Sequence, residues 1–181
     1  TAEGGKPLIE NSDEVGWTAA AFDYYAEIGR DSAGRVIPPI ESTQLALVVK
    51  DPLGVVGCIV PWNYPSSLAA WKLGPALATG CTVVLKPSEL TPLTALKFAE
   101  LSAEAGLPPG VLNAIGGHGE PTGVELVTHP EVEMVSLTGS PPTGKWIAKA
   151  AADTLKRVHL ELGGKAPVVV FDDVDMGTAL E

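Results

Sequence analysis

A carboxamide, an ammonium, carboxylates and hydroxyls recur along this chain, each just past a short apolar run. Asn63 follows Val55–Val60, which Pro61 should end because proline donates no ladder hydrogen bond. A neutral amide in that place suits stabilisation of a developing oxyanion, since it acts without being ionised, and it equally suits a turn. Lys86, Ser88 and Glu89 follow Thr82-Val-Val-Leu, and Thr138, Gly139 and Ser140 follow Val132–Leu137. Glu161 lies within Val-His-Leu-Glu-Leu, before Gly163 and Gly164. A carboxylate in such a strand is expected to be partly desolvated, which raises its pKa and favours general-base work near neutral pH. Neighbouring backbone donors could equally satisfy it.

Two glycine-rich segments bear on nucleotide binding. Gly117-His-Gly-Glu-Pro-Thr-Gly123 is one residue longer than the usual dinucleotide fingerprint and follows a third strand, so alone it says little. Gly139-Ser-Pro-Pro-Thr-Gly-Lys145 has the form G-x-x-x-x-G-K. Trp146 stands where a phosphate loop needs Ser or Thr, and Pro141 and Pro142 remove two backbone donors, which argues against an NTPase. Gly139 and Ser140 can still hold a pyrophosphate. Lys86 and Glu89 read either as a solvated pair or as a grip on a ribose. In the second case Glu89 accepts from the ribose hydroxyls and repels a 2′-phosphate, favouring NAD over NADP.

The elements that must position these groups alternate. A helix is expected over Glu14–Ile28, with Val15, Ala19, Phe22 and Ala26 inward, then a strand over Gln44–Val49 that could form a hairpin arm. Further strands are expected at Val55–Val60, Thr82–Leu85, Val111–Ile115, Val132–Leu137, Arg157–Leu162 and Ala166–Phe171. Helices fall between them: from Ser66 or Ser67, as cap, to Ala78 with Gly80 as stop, then Thr91–Ala105, Thr122–Val127 and Thr143–Leu155. Such alternation implies an α/β fold with a doubly wound, Rossmann-like parallel sheet, whose carboxyl ends share one edge. The expected division is a helical segment over 1–43, a strand–turn arm over 44–54 and a nucleotide-binding domain over 55–181.

Composition narrows the class. The 181 residues are 45% hydrophobic and 19% charged, a globular balance. The net charge of -10 disfavours nucleic acid and anionic membranes as partners. No apolar run approaches membrane-spanning length and no leader is visible. Cys58 and Cys81 lie in apolar surroundings, as expected for reduced, unreactive thiols in a cytoplasmic protein. His118, His129 and His159 are far apart in sequence, and no metal site is expected. A start at Thr1 and an end at Glu181 suggest a piece of a longer polypeptide.

Pro61-Trp-Asn-Tyr-Pro65, Lys86-Pro-Ser-Glu89, Leu137-Thr-Gly-Ser140 and Leu160-Glu-Leu-Gly-Gly164 resemble, in order and spacing, the motifs of the aldehyde dehydrogenase superfamily. The resemblance runs from about Gly4 onward. It implies NAD-dependent oxidation of an aldehyde to an acid, with Asn63 holding the oxyanion and Glu161 as general base. It implies that Lys86 and Glu89 hold the adenosine ribose, with Ser140 near the pyrophosphate. Val60, Pro61, Trp62, Pro87, Ser88, Gly119, Gly139, Thr143 and Gly163 would line the cofactor cleft. Tyr64, the Trp71-Lys72 pair and Lys-Pro-Ser-Glu look most like the betaine-aldehyde and aminoaldehyde branch, in which the lysine matching Lys72 is described as a charge relay. On its helix Lys72 would by default be solvated. The family's nucleophilic cysteine lies in a separate domain, so the chain is expected to be inactive alone. The family usually forms dimers or tetramers, which implies a homo-oligomer. The competing reading is a nucleotide-binding or interaction module without chemistry.

Overall fold

The computed structural model describes residues 1–179. Helix α1 (Leu8–Ile28) begins right after Pro7, well ahead of the expected Glu14. Its buried face is also one residue out of step with the apolar spacing. Glu14 and Thr18 are buried, whereas Val15 is 63% exposed. The polar pair points inward because hydrogen-bond partners await it there. Strands β1 (Arg35–Ile37) and β2 (Ala46–Val48) form a separate antiparallel hairpin. β2 falls inside the expected strand; β1 is too short and exposed to leave a pattern.

The main sheet has five parallel strands: β3 (Val55–Ile59), β4 (Thr82–Lys86), β5 (Leu112–Ala114), β6 (Val132–Gly139) and β7 (Arg157–Leu162). Their order is β5-β4-β3-β6-β7. The chain therefore runs outward from β3 in one direction, then returns to add β6 on the other side. The carboxyl ends of β3 and β6 flank this switch point, where open α/β sheets bind ligands.

Alternation along each strand divides the core in two. Val56, Cys58 and Val60 of β3 and its extension pack with Val83, Leu85 and the helix α2 (Pro65–Ala78). Ala95 of α3 (Leu93–Glu104) joins them, while Leu93 and Leu96 stay exposed. Val55 and Ile59 face the other way, toward Leu126 and Val127 of α4 (Val124–Thr128) and Ile147 of α5 (Pro141–Ala152). A short final helix, α6 (Met176–Ala179), follows. Gly80 takes φ +80°, the left-handed turn expected of a helix stop.

Two local expectations are corrected. Neither Ser66 nor Ser67 caps α2; Tyr64 stands at the N-cap and Pro65 takes the first helical position, where a missing N–H costs nothing. Both serines sit inside the first turn. The run Ala166–Phe171 is not a strand. Only β6 pairs with β7 among the described residues, and Val168, Val169, Val170 and Phe171 are all exposed. A β-branched run without a ladder partner has nothing to bond its backbone groups. Among the described residues no helix is long and apolar enough to cross a membrane.

Candidate active site

The register of the sheet brings the two proposed reacting groups to one edge. Ile59 is level with Leu137, and Thr138 with Glu161, so Glu161 stands level with the residue that follows β3. Two strand spacings separate them, about 10 Å. The loop after β3 leads directly from Val60, whose N–H still bonds Lys86 O at 3.2 Å, to Asn63. Pro61 is half-buried; Trp62 and Asn63 are exposed.

This loop is braced from behind. The Lys6 ammonium donates to the main-chain carbonyl of Asn63 at 3.2 Å, lies 3.6 Å from the Tyr64 ring centre and pairs with Glu14 at 2.5 Å. Glu14 in turn accepts from Ser66 N and Oγ, both at 2.8 Å, and from Ser67 N at 3.1 Å. It satisfies the free N–H groups at the start of α2, which no side chain at the N-cap does. Burial pushes the Glu14 carboxyl up, but Lys6 and the serine donors outweigh it and hold it below its ordinary value. Neither residue carries a sequence signature beyond a lysine before a proline and an acid on a helix.

A cleft of about 650 Å³ opens between α4 and α5, lined by Ile59, Lys86, Gly119, Val127, Thr143 and Trp146 among others. Lys86 ends β4 and is only 3% exposed; its Nζ donates to Pro87 O at 2.9 Å. Gly123 lies over its stem, where a Cβ would meet Cδ and Cε at 3.6 Å. Burial depresses the Lys86 ammonium, and Glu89 partly restores it. Glu89 is exposed and sits 3.8 Å from His118 Nδ1. Its own backbone N–H, Lys86 and His118 hold its carboxyl low, so it is a ready acceptor. Pro87 is buried, and Ser88 Oγ accepts from Leu90 N at 3.3 Å, which fixes the turn that presents Glu89.

Ser140 caps α5: its Oγ accepts from Thr143 N at 3.3 Å and meets Thr143 Oγ1 at 2.8 Å. Gly144 N bonds Ser140 O. With Pro141 and Pro142 lacking N–H, the first turn of α5 has no backbone donor to spare. An anion there would meet the exposed Ser140–Thr143 hydroxyl pair, not an amide cradle. Gly139 O accepts from Gly163 N at 3.2 Å, tying the ends of β6 and β7 together.

Two expectations about side chains fail. Glu161 is not desolvated: its side chain is 67% exposed, because β7 is the outermost strand of the sheet. Lys72 is not solvated: it is 6% exposed, and its Nζ donates to Ser136 Oγ at 2.9 Å. Burial lowers the Lys72 pKa, opposed by Cys58 and Glu161. The histidines also gain partners that their spacing does not foretell. His159 Nδ1 lies 3.0 Å from Ser136 Oγ and its Nε2 3.6 Å from Glu161 Oε1. Cys58 is fully buried, its thiol pushed up to about 12 by burial, and Cys81 just precedes β4, at the opposite end of the sheet.

A parallel sheet with its amide and carboxylate at one edge and a cleft on its α4–α5 face agrees with sequence comparison. The aldehyde dehydrogenase family profile matches residues 1–181, and the chain belongs to that family. It is 52% identical over its whole length to a mitochondrial succinate-semialdehyde dehydrogenase of Arabidopsis thaliana, covering 34% of that protein. It is 49% identical, again along its whole length, to betaine aldehyde dehydrogenase 1 of Oryza sativa subsp. japonica, covering 36%. The solved NAD-dependent aldehyde dehydrogenase of Sinorhizobium meliloti superposes on 98% of the chain with a TM-score of 0.90 and 45% identity, over 35% of that structure. The chain thus spans about a third of the length of the curated relatives it matches.

Proposed function

We propose that this chain is the cofactor-binding part of an NAD-dependent aldehyde dehydrogenase, with residues 55–181 forming the nucleotide domain behind the helical segment 1–43 and the arm 44–54. The observation that carries this reading is the register that sets Glu161 level with the residue leading into the Asn63 loop, across the switch point of the sheet. The cleft between α4 and α5 fits a dinucleotide in volume and in chemistry. Lys86, Gly119 and Thr143 line it. In this reading Glu89 accepts ribose hydroxyls, Lys86 supplies positive charge and the Ser140–Thr143 hydroxyls meet the pyrophosphate, with Val60, Pro61, Trp62, Gly139 and Gly163 outside the lining itself.

When bound, NAD supplies the hydride acceptor. The chain's own residues do the rest that can be done here. A thiolate from outside these residues adds to the aldehyde carbonyl, and the Asn63 carboxamide donates to the oxygen that becomes negative. Once that carbon has given up its hydride, Glu161 takes a proton from water, which attacks the resulting thioester carbon; the C–S bond breaks, releasing the acid and the thiolate. Exposure to solvent on β7 supports that role, since the base must reach water. Neither Cys58 nor Cys81 can serve as nucleophile, because both are buried away from the edge.

Betaine aldehyde and aminoaldehydes are the favoured substrates, on the motifs around Tyr64 and Lys72; succinate semialdehyde is the runner-up, on similarity. The whole protein is a homo-oligomer in a reducing compartment such as the cytoplasm, as two buried free thiols support. Titrating NAD into the chain while following tryptophan fluorescence tests the cleft, since Trp146 lines it. Saturable quenching by NAD, weaker with NADP, is expected; no response to either would contradict it.

A further inference from the structure

Ser136 and His159 belong to none of the roles above, yet they stand between Lys72 and Glu161. Ser136 pairs with His159 in register, and alternate residues share a face, so Ser136, His159 and Glu161 all look toward the side that α2 covers. Lys72 reaches down from α2 to the first of them. The contacts run from Lys72 Nζ to Ser136 Oγ at 2.9 Å, on to His159 Nδ1 at 3.0 Å, and from Nε2 to Glu161 Oε1 at 3.6 Å.

Donor and acceptor inventory gives this row a direction. An ammonium only donates, so Ser136 Oγ accepts from Lys72. The hydroxyl has one proton, which is then free to donate to Nδ1. A neutral imidazole that accepts at Nδ1 carries its hydrogen on Nε2, the nitrogen that faces Glu161. At 3.6 Å that last contact is electrostatic and longer than a hydrogen bond. Lys72 and Ser136 are both buried, so the row is anchored at one end and open to water at the other.

We propose that Ser136 and His159 are positioning residues for hydrolysis: they fix the imidazole tautomer that presents Nε2–H to Glu161 and thereby orient its carboxylate toward water. This rests on the reading of Glu161 as the base. The effect passes through Glu161 alone, so it touches neither cofactor binding nor the first hydride transfer.

The test uses the intact enzyme, with betaine aldehyde as probe and the rate constant of acyl-enzyme hydrolysis read by rapid quench. His159→Phe, a half-exposed site where the fold tolerates change, should slow hydrolysis roughly tenfold. The NADH burst and NAD affinity should stay as they were. Ser136→Ala should match it, and Ser136→Thr, which keeps the hydroxyl, should restore the parent rate. In a Glu161→Gln background His159→Phe should add no further loss. Unchanged hydrolysis in His159→Phe, a multiplicative loss on top of Glu161→Gln, or failure of Ser136→Thr to rescue overturns the proposal while leaving the base reading intact. Parent-like hydrolysis in Glu161→Gln itself overturns both.

Discussion

Lys6 holds the backbone of Asn63: its ammonium donates to the Asn63 carbonyl at 3.2 Å while Glu14, buried on α1, holds the ammonium at 2.5 Å. An exposed amide on a loop is otherwise free to wander, and a misplaced donor stabilises no oxyanion. The brace also joins α1 to the start of α2, so stability and site geometry share one buried carboxylate.

Acid should therefore loosen the fold through Glu14. Its folded pKa lies below its ordinary 4.5, so its contribution is fully present above pH 4.5 and is lost as pH falls through the folded value. Glu14→Gln should cost about 2–4 kcal/mol at neutral pH, as expected for breaking a buried, hydrogen-bonded pair. Its stability should also change less than the parent's on going below pH 4.5. Urea midpoints measured across pH check this; parallel curves would place the acid sensitivity elsewhere.

Gly74 lets α1 and α2 approach. A Cβ there would stand 2.5 Å from Tyr25 Cδ2 and 3.2 Å from its Cβ. Helix propensity alone favours alanine by about 1 kcal/mol, but the ring has to move against packed neighbours. Gly74→Ala should be destabilising by about 1–3 kcal/mol. A melting temperature at or above the parent's would show that α1 slides without cost.

How much of this was legible in the sequence depends on what pairs with what. The central strands β3, β4 and β6 announce themselves as valine-rich apolar runs because the sheet is covered on both faces there, whereas the outer strands β5 and β7 are more exposed. Asn63 and Glu161 could be placed at one edge from strand order alone. The direction of α1 was not legible, since its buried face carries Glu14 and Thr18 and its apolar Val15 looks outward. Ala166–Phe171 shares a β-branched run with the true strands, but it carries Pro167, which cannot donate to a ladder, and has no strand partner among the described residues. Lys72 looked like an ordinary helix lysine; its acceptor, Ser136, is 64 residues away. Ser136 and His159 carry no motif, and their partnership exists only through the β6–β7 register.

Cofactor preference should rest on Glu89. In the intact protein Glu89→Gln should weaken NAD binding by about 1.5–3 kcal/mol, the worth of a hydrogen bond to a charged group, and relieve repulsion of NADP. Parallel titrations with the two nucleotides check it. An unchanged NAD:NADP affinity ratio would remove Glu89 from the ribose site.

The two thiols should be inert. With Cys58 fully buried and its pKa near 12, and Cys81 buried at the start of β4, neither should react with a disulfide reagent at pH 8 until the chain unfolds. By the same argument the isolated 181 residues should not oxidise betaine aldehyde with NAD. Turnover that falls in Cys58→Ala would mean that the nucleophile has been misplaced.

The assignment of Glu161 as the base of an aldehyde dehydrogenase is tested most directly by one transient. Glu161→Gln in the intact enzyme should leave the first hydride transfer nearly untouched and slow acyl-enzyme hydrolysis by about 10²–10⁴-fold, the usual worth of general-base catalysis. NADH absorbance should then rise in a burst of about one equivalent per active site and settle to a slow line. A variant with no burst, or with the parent's steady rate, would contradict the account.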